Sequence, residues 1–163
     1  MHTINNLNQY KMANTYSQLY IQLIFSVRGK KNLISDSFRE ELQKYMTGII
    51  ESKNTELLSI YCMPDHAHIF IGMRPVVTIS ELVKQVKVDS TRFINEKGWL
   101  DEKFQWQEGY GVFSYSHAHI YNIIKYIDNQ PAHHKEKKFK EEYTEFLQKF
   151  DINYEERYLF DWI

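Results

Sequence analysis

The chain has one cysteine, Cys62, so an intrachain disulfide and a thiolate-built zinc knuckle are both excluded. Beside a Pro-Asp turn, that thiol reads as a small buried hydrophobe. Apolar runs of membrane-spanning length are lacking, as is a basic-then-apolar leader, which predicts a cytosolic protein. An excess of either charge is also missing: 20 Lys and Arg face 21 Asp and Glu, for a net charge of −1. Any DNA-binding surface must therefore be a local basic patch, offset by acidic residues elsewhere. There is no internal repeat and no linker-like stretch. The 163 residues suit one domain with a real hydrophobic core, residues 1–14 forming a flexible or peripheral Asn-rich arm. Aromatics, by contrast, are plentiful: 12 Tyr, 10 Phe and 3 Trp, which either fill a core or stack on unpaired bases.

The stretch that organises the chain is 61–71, YCMPDHAHIFI, in which Pro64-Asp65 forms a turn between two apolar runs. Alternate strand residues point the same way. His66 and His68 therefore share one face, while Ala67, Ile69 and Ile71 share the other and can enter a core. Two neutral imidazoles side by side are either most of a divalent metal site or a partly buried pair beside Phe70.

The rest reads as follows. Residues 16–27 form a strand near the sheet centre, apolar on both faces. Gly29 ends it, and Arg28, Lys30 and Lys31 either touch a phosphate backbone or belong to a wet loop. A helix over 35–50 follows, with Ser37 and Glu40 at capping-box spacing. Residues 55–62 and 65–73 form a hairpin. Thr78 and Glu81 repeat the capping spacing at the start of a helix to about Asn95, and Gly98 is its stop signal. That helix's polar face carries Lys84, Lys87 and Arg92, which either contact phosphates or are simply solvated. Residues 104–115 contain a strand interrupted by Gly109 and Gly111. A helix over 117–130 is stopped by Pro131, with His133 and His134 in the break, and another helix spans 135–150. The order β-α-β-β-α-β predicts an α+β, ferredoxin-like (RRM-like) antiparallel sheet. Its helices pack on one face, further C-terminal helices follow, and the first and third strands lie at the centre.

In the late helix Tyr126 and Gln130 are four apart and share a face. Tyr126 sits at the margin of an isoleucine stripe, where it is either an ordinary amphipathic-helix tyrosine or a hydroxyl reaching a cleft.

Taken together, Ala13-Asn14-Thr15-Tyr16, Pro64-Asp65-His66-Ala67-His68, the 104–114 stretch FQWQEGYGVFS, Tyr126-Ile127-Asp128-Asn129-Gln130 with His133-His134, and 155–159 resemble the IS200/IS605-like single-tyrosine transposases. These belong to the HUH endonucleases. The resemblance implies that His66 and His68 bind metal, that Gln130 is the third protein ligand, and that Tyr126 is the nucleophile. It implies Mg2+ or Mn2+ as cofactor. It also implies cleavage of single-stranded DNA carrying hairpins through a 5′-phosphotyrosine link, in a homodimer whose active sites can be composite. Two imidazoles and an amide oxygen would add no negative charge, so magnesium would be held weakly until DNA adds oxygens. Three alternatives stay open: a domesticated repeat-processing nickase, a non-cleaving single-strand-binding module that stacks bases on its sheet, and a phosphoesterase that activates water.

Overall fold

The computed structural model describes residues 16–29 and 31–159. The Asn-rich arm, Lys30 and the last four residues lie outside them. The elements are β1 (Leu19–Ser26), α1 (Asp36–Ser52), β2 (Glu56–Cys62), β3 (His66–Met73), α2 (Ile79–Lys97) and β4 (Gly111–Tyr115). After a short 3-10 turn (His117–His119) come α3 (Ile120–Asp128), α4 (Gln130–Glu136) and α5 (Phe139–Lys149).

The strands form one antiparallel sheet in the order β2-β3-β1-β4, with the first and third strands at the centre as the alternation predicted. Period 2 sorts the central strands cleanly. Ile21, Leu23 and Phe25 of β1, with Ala67, Ile69 and Ile71 of β3, face α1 and α2. Leu42, Met46 and Ile50 of α1 and Val86 of α2 are fully buried against them. Each such side chain contributes about 1.5–3 kcal/mol. The two helices are also clamped by stacked rings, Tyr45 on Phe93 at 3.9 Å and Phe38 on Trp99 at 4.5 Å.

The opposite face is covered too, which differs from the one-sided packing expected. Tyr20 and Phe70 pack against Ile120, Ile123 and Ile127 of α3. Ile24 and Phe113 pack against Phe139, Tyr143 and Leu147 of α5. The C-terminal helices thus close the second face, and the histidines of β3 lie beneath them.

Local signals were met unevenly. At α2, Thr78 accepts the Glu81 N–H and Gly98 caps the C-terminus at φ 64°. At α1 the expected Ser37–Glu40 box is unused. The helix starts earlier, at Asp36, whose carboxylate suits the N-terminal dipole, and Ser35 Oγ pairs with Ser37 Oγ. Pro131 does not simply stop a helix. α3 ends at Asp128, and Pro131 lies in the first turn of α4, where a missing N–H costs nothing. His133 and His134 are therefore helical, and the helix expected over 135–150 begins only at Phe139.

Candidate metal and tyrosine site

β3 places His66 and His68, both fully buried, on the face covered by α3 and α5. Their outer nitrogens are tethered. His66 Nδ1 lies 2.7 Å from Asp65 Oδ1. An ionised carboxylate only accepts, so Nδ1 carries the proton and Nε2 turns a lone pair inward. His68 Nδ1 is 3.1 Å from the Gln22 amide, which is itself bonded to the Tyr115 hydroxyl at 2.9 Å. Either orientation of that amide satisfies both contacts, and the one with oxygen on His68 Nδ1–H frees Nε2 as a ligand.

The two inner Nε2 atoms are 3.1 Å apart. Facing them is Glu142 of α5, with Oε1 3.4 Å from His68 Nε2 and Oε2 3.7 Å from His66 Nε2. His66, His68 and Glu142 form a buried cluster able to hold a divalent cation. Two observations fit a cation there. Glu142 Oε2 is a buried acceptor with no hydrogen-bond partner, and so is the neighbouring Gln130 Oε1. The protonation states also fit. Burial, and then the charge of His68, hold His66 below the usual histidine range. Burial pushes the Glu142 carboxyl up, but His68 and His66 outweigh it and hold it low. A neutral His66 imidazole beside an ionised carboxylate is what metal ligation requires.

Gln130, the expected third ligand, is buried beside this cluster, but its Nε2 donates to Glu142 Oε1 at 3.0 Å. The place facing the imidazoles belongs to Glu142, which sequence reasoning missed. A signal existed: Glu142 interrupts the α5 stripe, three residues after Phe139 and four before Phe146. A carboxylate on an apolar stripe asks for a buried partner. Phe139 stacks on His66 at 3.9 Å and 7°, so α5 seals the site from above.

Tyr126 is half-buried on α3, its ring 5.9 Å from that of His68 and 4.9 Å from that of His133. With His133, His134, Glu142 and Phe146 it lines a cleft of about 600 Å³ between the C-terminal helices. His134 reaches the cluster itself, its Nε2 3.2 Å from His66 Nε2. The expected pair of secondary histidines thus divides, His133 against the tyrosine and His134 against the metal cluster.

The expected basic contacts lie elsewhere. Lys84, Lys87 and Arg92 are on α2, across the sheet from the histidines. Lys84 and Arg92 are exposed. Lys87 donates to the carbonyls of Gln107, at 2.8 Å, and Gly109. Burial lowers its pKa to about 8, so it holds the loop before β4. Arg28 bonds Gln105 Oε1 at 2.9 Å. Tyr20 and Phe70 of the central strands, 4% and 0% exposed beneath α3, are closed to base stacking. No helix among the described residues is long and apolar enough to cross a membrane.

A strand-borne histidine pair, a facing carboxylate that could complete a divalent-cation site and a nearby helix tyrosine on a four-stranded antiparallel sheet are the features of a class of tyrosine phosphotransfer protein. Residues 15–130 match the family described as transposase IS200 like. The chain belongs to this family of IS200/IS605-like single-tyrosine transposases, within the HUH superfamily. It is 27% identical over 126 residues to the ISDra2 transposase TnpA of Deinococcus radiodurans, covering 73% of this chain and 87% of that one. A crystal structure of a transposase from Deinococcus radiodurans R1 superimposes with a TM-score of 0.61 at 25% identity, over 74% of this chain and 97% of that one. The REP-associated tyrosine transposase bound to a REP hairpin shares the fold, with a TM-score of 0.57 at 13% identity over 77% and 74% of the two chains. The family match ends at residue 130, so Glu142 and His134 lie beyond it.

Proposed function

We propose that the chain cuts and rejoins single-stranded DNA at hairpin-bearing ends during transposition, with Tyr126 as nucleophile and His66, His68 and Glu142 holding Mg2+ or Mn2+. The observation that carries the reading is the approach of the Tyr126 ring to within 5.9 Å of His68 inside one chain. When bound, the cation polarises the scissile phosphate and orients it for in-line attack. Gln130, expected as a ligand itself, acts here through Glu142 by fixing Oε1. A carboxylate among the donors adds one negative charge, so the cation is held more firmly before DNA arrives than two imidazoles and an amide would hold it.

The tyrosine is a poor nucleophile at neutral pH because its ordinary pKa is about 10. His133, whose ring packs 4.9 Å from Tyr126, is the base placed to receive the phenol proton. The Tyr126 oxygen bonds to phosphorus, the bond from phosphorus to the 3′ oxygen breaks, and that oxygen leaves as a 3′-hydroxyl whose proton comes from solvent, to which His133 returns the phenol proton. The phosphotyrosine retains a phosphodiester, so the same hydroxyl or another strand's can reverse the step. That suits strand transfer over net hydrolysis. The substrate class follows the family and the hairpin-bound relative.

The test is labelled single-stranded hairpin DNA incubated with magnesium. The expected product is a denaturation-resistant protein–DNA adduct, absent in Tyr126→Phe and retained when the exposed Tyr121 or Tyr158 is replaced. Plain 5′-phosphate products with no adduct would replace this reading with a water-activating phosphoesterase. Family membership supports a homodimer, and the approach within one chain favours a site built by a single subunit in this conformation. Mixed His66→Ala and Tyr126→Phe proteins that regain cutting would instead point to sites shared across the dimer.

A further inference from the structure

We propose that His134 is a fourth donor, so that His66, His68, His134 and Glu142 form a three-imidazole, one-carboxylate site for a zinc-class cation. This rests on the metal reading above and extends it to a residue, a metal class and a conformational consequence.

The distances carry the argument. Two donors about 2.0–2.2 Å from a common cation lie roughly 2.9–3.6 Å apart as their angle opens from 90° to tetrahedral. His66 Nε2 lies 3.1 Å from His68 Nε2 and 3.2 Å from His134 Nε2. Glu142 bridges the ends, with Oε1 3.4 Å from His68 Nε2 and Oε2 3.6 Å from His134 Nε2. Those separations are short enough for ligands of one ion, with His134 joining the buried group of His66, His68 and Glu142 from its edge. His66 spends its one proton on Asp65, so its Nε2 can only accept, while Glu142 Oε2 is left buried with no partner. The Glu142 side chain is 8% exposed and the His134 side chain 16%, so water is largely kept from these atoms.

The donor chemistry selects the metal. Magnesium prefers oxygen ligands in an octahedron and keeps several waters. Three imidazoles and a carboxylate suit Zn2+, Co2+ or Ni2+. Four protein donors also fill the site, and a filled tetrahedral site is structural rather than catalytic. A DNA phosphate would then need one donor to leave. His134 is the most exposed of the four and sits on the seven-residue α4, outside the sheet that anchors His66 and His68. It is the donor placed to be exchanged, which would make a zinc-loaded chain a resting form.

The test is a Co2+ titration of metal-stripped protein, read by visible absorption. The wild type should show the strong absorption of four-coordinate cobalt. His134→Ala should lose that signature and bind Co2+ about 10–100-fold more weakly, the scale seen on losing even an outer partner of a metal site. His133→Ala should keep both. Equal affinity and identical spectra in wild type and His134→Ala would overturn the proposal. X-ray absorption of the zinc-loaded wild type needs no variant: three imidazoles are expected, and two would overturn it. Tyr126→Phe should keep the cobalt signature. In the wild type, failure of adduct formation with that signature intact would count against the proposed cleavage and leave the fourth donor standing. Adduct formation without it would do the reverse.

Discussion

Gly111→Ala tests whether α5 is pressed against the sheet as tightly as the metal site requires. A Cβ at Gly111 would stand 2.8 Å from both Cε2 and Oη of Tyr143 and 3.0 Å from Cε2 of Phe113. Carbon atoms settle at about 3.5–4.0 Å, so the Tyr143 ring must retreat by several tenths of an ångström. It cannot swing freely, because it is 6% exposed and packs edge-on against Phe113 and tilted against Phe139. Overpacking of this kind costs about 1–3 kcal/mol. Replacing glycine returns about 0.4–1 kcal/mol through the unfolded chain. The net is a loss of up to about 2.6 kcal/mol, centred at about 1.3 kcal/mol, or up to about 10 °C in Tm for a domain of this size. Tyr143 directly follows Glu142, so cobalt affinity should fall as well. Thermal denaturation and cobalt titration of the one variant read both effects. In a Tyr143→Leu background the same substitution should cost at least about 0.5 kcal/mol less, because the clash is gone. A Tm that rises, or equal costs in the two backgrounds, would refute the claim that this ring pins α5 to β4.

Ser90→Ala should destabilise by about 1–3 kcal/mol in urea, since Ser90 Oγ accepts the buried Trp106 Nε1–H at 2.8 Å and no water replaces it; an unchanged midpoint would show that the indole finds another acceptor. Acid should weaken the metal-stripped protein between pH 6.5 and 4. Burial, then the charge of His66, lower the His134 pKa from 6.5 to about 4. Above 6.5 both states are neutral and nothing is lost, whereas below it the unfolded chain takes the proton first and stability drains away until the folded value is passed. After solvent screening of a half-buried group the loss is about 1–3 kcal/mol, and His66 shifts in the same direction. A denaturation midpoint as high at pH 5 as at pH 7 would contradict this.

How much was legible follows from which interactions are local. The strand bearing the histidines was readable because a period of two assigns faces without knowing what covers them; Ala67, Ile69 and Ile71 went to the α1–α2 side and His66 and His68 to the other. The α2 ends were readable because Thr78 and Gly98 act within a few residues of themselves. Pro131 was ambiguous in principle, since the missing N–H that ends one helix also suits the first turn of the next. The carbonyl contacts of Lys87 were hidden for a different reason. Its helix face is polar, and nothing nearby in sequence reveals that the carbonyls of Gln107 and Gly109 fold over it.

Glu142 shows where local reasoning ends. Its stripe partners Phe139, Tyr143 and Phe146 announce a packed face, and a carboxylate among them is unfavourable unless something cationic or hydrogen-bonding waits in the core. Sequence alone cannot say that the something is a pair of imidazoles 74–76 residues away, counting back to His68 and His66. Yet the two halves explain each other. His66 and His68 are buried without loss because α5 brings a negative charge to them, and α5 tolerates that charge because β3 supplies neutral nitrogens that a cation can join to it. A burial that costs stability in each element separately becomes, once they are packed together, the reason the site exists; replacing Glu142 by leucine should therefore destabilise the metal-free fold in urea, because it strands the Gln130 Nε2 donor and the buried imidazoles, and abolish tight cobalt binding.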